Sequence, residues 1–212
     1  MVGILPAEAT TDDSSLFLLA ALRSDESPAS TVIPVTPDPA LVNTAVLLYT
    51  GANSDGNYLN GQATARLGAD LTCQANRPVF SPDNSCLTIH ALISLTATDE
   101  IRDMVANYGV PTDRPIQGPT GGVVAQIATN WTDLLNGGTP LSQNLQTAGI
   151  TTARWRSFAN ADGSLSAQNC GGGTNGASGG GQYGDIDTTG TQWISDSFQL
   201  CSEAVRLVCV CY

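Results

Sequence analysis

The chain has 212 residues, a formal net charge of −11 and a pI near 4.1, and 42 % of its residues are hydrophobic. That is apolar material for one sizeable core. So acidic a chain repels phosphate backbones and anionic headgroups, which excludes nucleic acid and charge-driven membrane docking from the expected partners.

The six cysteines (Cys73, Cys86, Cys170, Cys201, Cys209 and Cys211) include no C-x-x-C pair, and His90 is the one histidine. Zinc and thioredoxin-like sites need closer or richer ligand sets. Disulfides, and hence an extracytoplasmic cell-surface or secreted location, are the expectation.

Residues 1–43 read as a tether preceding a domain over 44–212. Pro28, Pro34, Pro37 and Pro39 stiffen it. Its apolar run, Leu16–Leu22, is too short to span a bilayer and lacks the flanks of a signal peptide. Residues 14–22 are either part of a disordered leader or a short helix that docks on a neighbouring subunit. A leader or lipid anchor is expected only of the native precursor.

The domain opens with an apolar strand, Ala45–Thr50, and a turn over Gly51–Asn57. Gln62–Ala75 has helical spacing, with one row at Ala63, Leu67 and Leu71 and another at Ala65, Ala69 and Cys73; Pro78 ends it. Thr88–Leu95 alternates as a strand, with Ile89, Ala91, Ile93 and Leu95 on one face. Thr98 is the expected cap of a second helix, with a stripe of Ile101, Met104, Val105 and Tyr108 and a stop at Gly109. Beyond Val110 the periodic signals thin. Residues 159–192, with glycine triplets at 171–173 and 179–181, read as a long irregular loop stapled by cysteines. The tail Ala204–Cys211 reads as a buried strand with Cys209 and Cys211 on one face.

Several short motifs carry a resemblance. Leu67-Gly68-Ala69-Asp70-Leu71-Thr72-Cys73-Gln74-Ala75, Asn130-Trp131-Thr132-Asp133-Leu134, Asn169-Cys170 and Arg206-Leu207-Val208-Cys209-Val210 together resemble an endostatin-like/C-type-lectin-like family of bacterial surface lipoproteins, notably of spirochaetes. The resemblance spans about residues 45–212. It implies an α+β C-type-lectin-like fold with two helices, a small antiparallel sheet and long disulfide-stapled loops. Six cysteines leave many connectivities open. The family pattern implies Cys73–Cys209 and Cys170–Cys201, leaving Cys86 and Cys211 as a third pair.

Sugar binding through calcium is the familiar work of such folds, but the lectin motifs Glu-Pro-Asn and Trp-Asn-Asp are absent. Asp162, Asp185 and Asp187 are the candidate calcium ligands, since hard cations want several oxygens. His90 stands without a second histidine or a nucleophile motif, and no catalytic constellation or cofactor is expected. Arg154-Trp155-Arg156, with Tyr183 and Trp193, forms the candidate binding surface, because aromatic and arginine side chains anchor interfaces. The expected function is a non-catalytic adhesion or binding domain for an extracellular protein or glycan. The alternative is a self-assembling subunit of a surface layer or filament.

Overall fold

The structure, a computed structural model, describes residues 44–78, 86–120, 125–137 and 140–212. The tether with its Leu16–Leu22 segment lies outside the described residues.

Two long strands form the centre. β1 (Val46–Ser54) and β8 (Val205–Cys211) pair antiparallel, Leu47 opposite Cys211 and Tyr49 opposite Cys209. Both are buried on two faces, which is why they read as nearly unbroken apolar runs. Val46, Leu48, Val208 and Val210 enter one core, and Leu47, Tyr49, Leu207, Cys209 and Cys211 enter another. The turn expected over Gly51–Asn57 is instead a continuation of β1 through Ser54 with a register shift between Thr50 and Asn53. Gly51 serves this shift: a Cβ there would sit 3.0 Å from the Cys209 Sγ and 3.3 Å from the Leu207 carbonyl oxygen.

The other strands are short: β2 (Ile89–Ala91), β3 (Ile116–Gln117), β4 (Gln126–Ala128), β5 (Trp155–Arg156), β6 (Gly180–Gly184) and β7 (Ser197–Leu200). The sheet order is β4-β3-β1-β8-β5-β6-β7, with β2 also on β8. The sheet is mixed rather than antiparallel, because β1–β3 and β5–β8 run parallel. The ladder of β2 stops at Ala91, short of the strand expected to Leu95. The alternation nevertheless persists, with Ala91, Ile93 and Leu95 in one core and Leu92 in the other. The chain there leaves β8 and finds new partners, Ser94 N–H donating to the Ser157 carbonyl at 2.9 Å.

Among the described residues four helical segments join the sheet, two more than expected: α1 (Ala65–Ala75), α2 (Met104–Tyr108), α3 (Trp131–Leu135) and α4 (Cys170–Gly173), the last a single left-handed turn with positive φ at each residue. In α1 the Thr64 hydroxyl accepts from the Leu67 N–H at 3.3 Å, and Asn76, not Pro78, closes the helix. Its buried side is Ala65, Gly68, Ala69, Asp70 and Cys73, whereas Leu67 and Leu71 are 51 % and 45 % exposed. Thr98 caps nothing: a 3₁₀ turn over Ile101–Asp103 leads into α2, which ends at left-handed Gly109 as expected. The glycine-rich stretch is not all loop, since it holds α4 and β6.

All three disulfides form. Cys73–Cys209, Cys86–Cys211 and Cys170–Cys201 have Cα separations of 5.6, 5.4 and 5.7 Å, within the bridging range. They are consistent with an extracytoplasmic location. Among the described residues no helix is long and apolar enough to cross a membrane.

Candidate functional site

The three carboxylates expected at a calcium site do not assemble. Asp162 is exposed, and its Oδ1 accepts from the Ser164 hydroxyl at 2.6 Å and the Ser164 N–H at 3.0 Å. These bonds, with Arg102 nearby, hold its carboxyl below the usual range. Asp185 Oδ1 accepts from the Ile186 N–H at 2.7 Å, and Asp187 is exposed. Among the described residues no group of three His, Cys, Asp or Glu could hold a metal ion. In the Asn130-Trp131-Thr132-Asp133 motif, Asn130 caps α3 by accepting from the Asp133 N–H at 2.9 Å, and Trp131 is core.

The candidate binding surface is mostly interior. Trp155 and Arg156 are 0 % exposed, Trp193 4 % and Tyr183 5 %. Trp155 lies central in the sheet between β8 and β6, stacks on Trp193 at 5.7 Å and donates its Nε1–H to the Trp193 carbonyl at 2.8 Å. Arg156 turns to the opposite face of β5. There Nη2 donates to the carbonyls of Glu203 (2.8 Å) and Leu200 (3.4 Å), and Nη1 contacts the Cys170 Sγ at 3.4 Å. Burial lowers its pKa. Arg156 therefore clamps the connection from β7 to β8 and makes no cationic surface.

Arg154 alone of the five is exposed, its guanidinium 4.7 Å from the centre of the Tyr183 ring. The parallel pairing of β5 with β8 places Trp155 opposite Arg206, and the Arg206 N–H donates to the Arg154 carbonyl at 3.3 Å. Arg154 and Arg206 thus line one groove of about 310 Å³ with Asn53 from β1 and Gln199 from β7. Among the described residues the ion pairs involve Arg66, Arg102 and His90, and neither groove arginine takes part. Sequence reasoning missed Arg206. The available signal was its place as the one charge within the apolar run Val205–Cys211.

The densest polar constellation underlies α1. Arg66 forks onto Asp99 with two bonds of 2.9 Å, and also donates to the carbonyls of Ala91 and Ile93, each at 2.7 Å. Asp70 accepts from the Ala91 N–H at 2.8 Å and faces the His90 Nδ1 at 2.9 Å. The Tyr108 hydroxyl donates to Asp99 at 2.8 Å, and its ring lies 4.3 Å from that of His90. Burial by itself would lower the Arg66 pKa, but the Asp99 partner outweighs it and the pKa is raised. Burial pushes Tyr108 up to about 12. His90 hydrogen-bonds to Asp70, and its ring lies beside those of Tyr108 and Tyr212. These groups are occupied with each other and with backbone, latching α1 to β2.

A cleft of about 390 Å³ opens between the start of α1 and the left-handed glycines Gly171 and Gly172. Its charged groups, Arg66 and Asp99, already neutralise each other. The Arg154–Arg206 groove, by contrast, carries two arginines that take part in no ion pair among the described residues. Comparison with known proteins identifies no family for this arrangement: no family model matches the chain, and no curated protein matches its sequence.

Proposed function

We propose that the chain is a non-catalytic extracytoplasmic binding domain that takes an anionic group of an extracellular protein or glycan into the Arg154–Arg206 groove. One observation carries this reading: two arginines that make no ion pair among the described residues line one groove in a chain of net charge −11. Guanidinium groups bind carboxylate and sulfate through paired hydrogen bonds. The disulfides suit the compartment, and the resemblance to the endostatin-like/C-type-lectin-like family suits a recognition role. The test is binding to immobilised oligoglutamate and to a sulfated polysaccharide, at low and high salt. Salt-sensitive binding that Arg154→Glu with Arg206→Glu abolishes supports the groove. Binding unchanged by the double substitution, or absent to both probes, removes it.

A second reading, the self-assembling subunit, is favoured by the exposed apolar pair Leu67 and Leu71 on the outer face of α1. Light scattering on the full chain decides it. A large assembly that Leu67→Asp with Leu71→Asp dissolves supports it, and a monomer rejects it.

A further inference from the structure

We infer that the Cys170–Cys201 bridge is a redox switch: an external dithiol opens it before the other two bridges, and the thiolate left at Cys170 pairs with the buried Arg156. The inference does not rest on the groove reading. It starts from a buried charge. Arg156 is 0 % exposed, joins no ion pair among the described residues, and its Nε has no hydrogen-bond partner among them. Burying a cation without an anion is costly. The titratable groups whose field reaches it are Tyr58, Asp55 and Glu203. Both carboxylates are exposed, and burial raises the Tyr58 pKa and keeps that phenol neutral. The Arg156 Nη1 lies 3.4 Å from the Cys170 Sγ. In the bridge that sulfur carries no charge. As a thiolate it supplies an anion at ion-pair distance, and a neighbouring arginine favours the thiolate.

The reaction is thiol–disulfide exchange. A thiolate of the dithiol attacks the Cys201 Sγ, the Cys170–Cys201 bond breaks, and its electron pair leaves on the Cys170 Sγ beside Arg156. The second thiol of the reagent then expels Cys201, which takes up a proton. The dithiol ends as a cyclic disulfide, and one proton goes to solvent. A leaving thiol of lower pKa leaves faster. Among the described residues this is the one guanidinium that hydrogen-bonds to a bridge sulfur. The bridge also closes the shortest separation, 31 residues against 125 and 136. In the chain-entropy account it adds least to the fold, so the fold holds it closed least. Cys170 has φ 52°, an unfavourable state for a residue with a Cβ, and the bridge is one of its constraints. The cover over the sulfurs includes bare glycine backbone. A Cβ at Gly181 would sit 2.8 Å from the Cys170 Sγ, and one at Gly179, which is exposed, 3.7 Å from the Cys201 Sγ. Opening the bridge frees the connection from β7 to β8, while Cys73–Cys209 and Cys86–Cys211 still tie down β8.

The experiment equilibrates the full chain at neutral pH in mixtures of reduced and oxidised dithiothreitol. Free thiols are then alkylated and mapped by mass spectrometry, with hydrogen exchange on the same samples. The switch predicts that Cys170 and Cys201 are half-labelled at a reduced-to-oxidised ratio at least about tenfold lower than any other cysteine. Exchange then speeds at residues 197–204 and stays slow in the centre of β1 and β8. In Cys201→Ser, Cys170 is the one free thiol. Its thiolate absorbance should persist well below about 8.5, the ordinary cysteine pKa, and adding Arg156→Met should return it to that value. Another pair opening first, or all three opening together, overturns the switch. So does a Cys170 thiol that titrates at the ordinary value or is indifferent to the loss of Arg156. The wild-type reduction decides alone if a substituted chain does not fold.

Discussion

The two faces of the β1–β8 pair are stabilised in different ways. One face packs a continuous hydrophobic cluster that contains Trp131, Trp155 and Trp193 and no cysteine. The opposite face carries all six cysteines and many small residues, among them Ala45, Ala65, Ala69 and Ala91. Three disulfides cross-link that second face over sequence separations of 136, 125 and 31 residues. Large side chains hold the first face by area removed from water. The second holds α1 by cross-links and by the Arg66–Asp70–Asp99–His90 network, whose hydrogen bonds are directional. The difference shows how one sheet accommodates a thick apolar layer on one side and a thin, stapled layer on the other.

The comparison breaks first at the cross-links. Replacing both pairs, Cys73 with Cys209 and Cys86 with Cys211, by Ser and Ala should cost at least about 5 kcal/mol in the chain-entropy account. In urea unfolding followed by hydrogen exchange, α1 should lose protection before the tryptophans are exposed. Simultaneous loss on both faces would show that they are one cooperative unit. On the other face, Trp155→Ala should cost about 4 kcal/mol, as for other large buried aromatics. A cost near zero in chemical denaturation would mean that the cysteine-free face is not held by packing. Asp70→Ala strips partners from the Ala91 N–H, His90 and Arg66 and should cost about 2 kcal/mol. Equal stability of this variant and wild type would reduce the network to ornament beside the disulfides.

The smallest effect sharpens the contrast by pH. Tyr108 and Tyr212, which pack against the tryptophan-bearing cluster, have pKa values pushed up to about 12, burial being the first cause in each. The native state thus favours the neutral phenols. Their contribution is fully present below the ordinary pKa of 10.0 and is lost as pH rises through about 12. Burial raises all five tyrosines, so ultraviolet titration should show every phenol ionising late, with one of the two components near 12 lost in Tyr108→Phe. Ionisation of both near pH 10 would contradict the burial described for them.

α1 shows how far periodicity reaches. The spacing gave two rows; Ala63 precedes the helix, and Leu67 and Leu71, what remains of the more hydrophobic row, face solvent. The reason is distance. α1 approaches the chain before it so closely that a Cβ at Gly68 would collide with the Tyr58 carbonyl. Only small side chains fit on that side, so Ala65 and Ala69 are buried while Leu67 and Leu71 stay out. The candidate site was legible in part. Arg154 is exposed as expected, but Trp155 and Arg156 are interior because a strand buried on both faces hides successive residues. Arg206 joined the groove only through the pairing of β5 with β8, Trp155 opposite Arg206, which are far apart in the sequence.

The sequence by itself determined what depends on neighbours along the chain. The alternation of β8 put Cys209 and Cys211 on one face, Gly109 stopped α2, and Ala65, Ala69 and Cys73 formed a single helical row. Only the tertiary structure decided what depends on partners distant in sequence. It placed Asp70 against His90, set Arg206 beside Arg154, and left β7 at the open edge of the sheet. Local periodicity follows from backbone geometry over a few residues. Strand order and charge pairing follow from how the whole chain closes around its two cores.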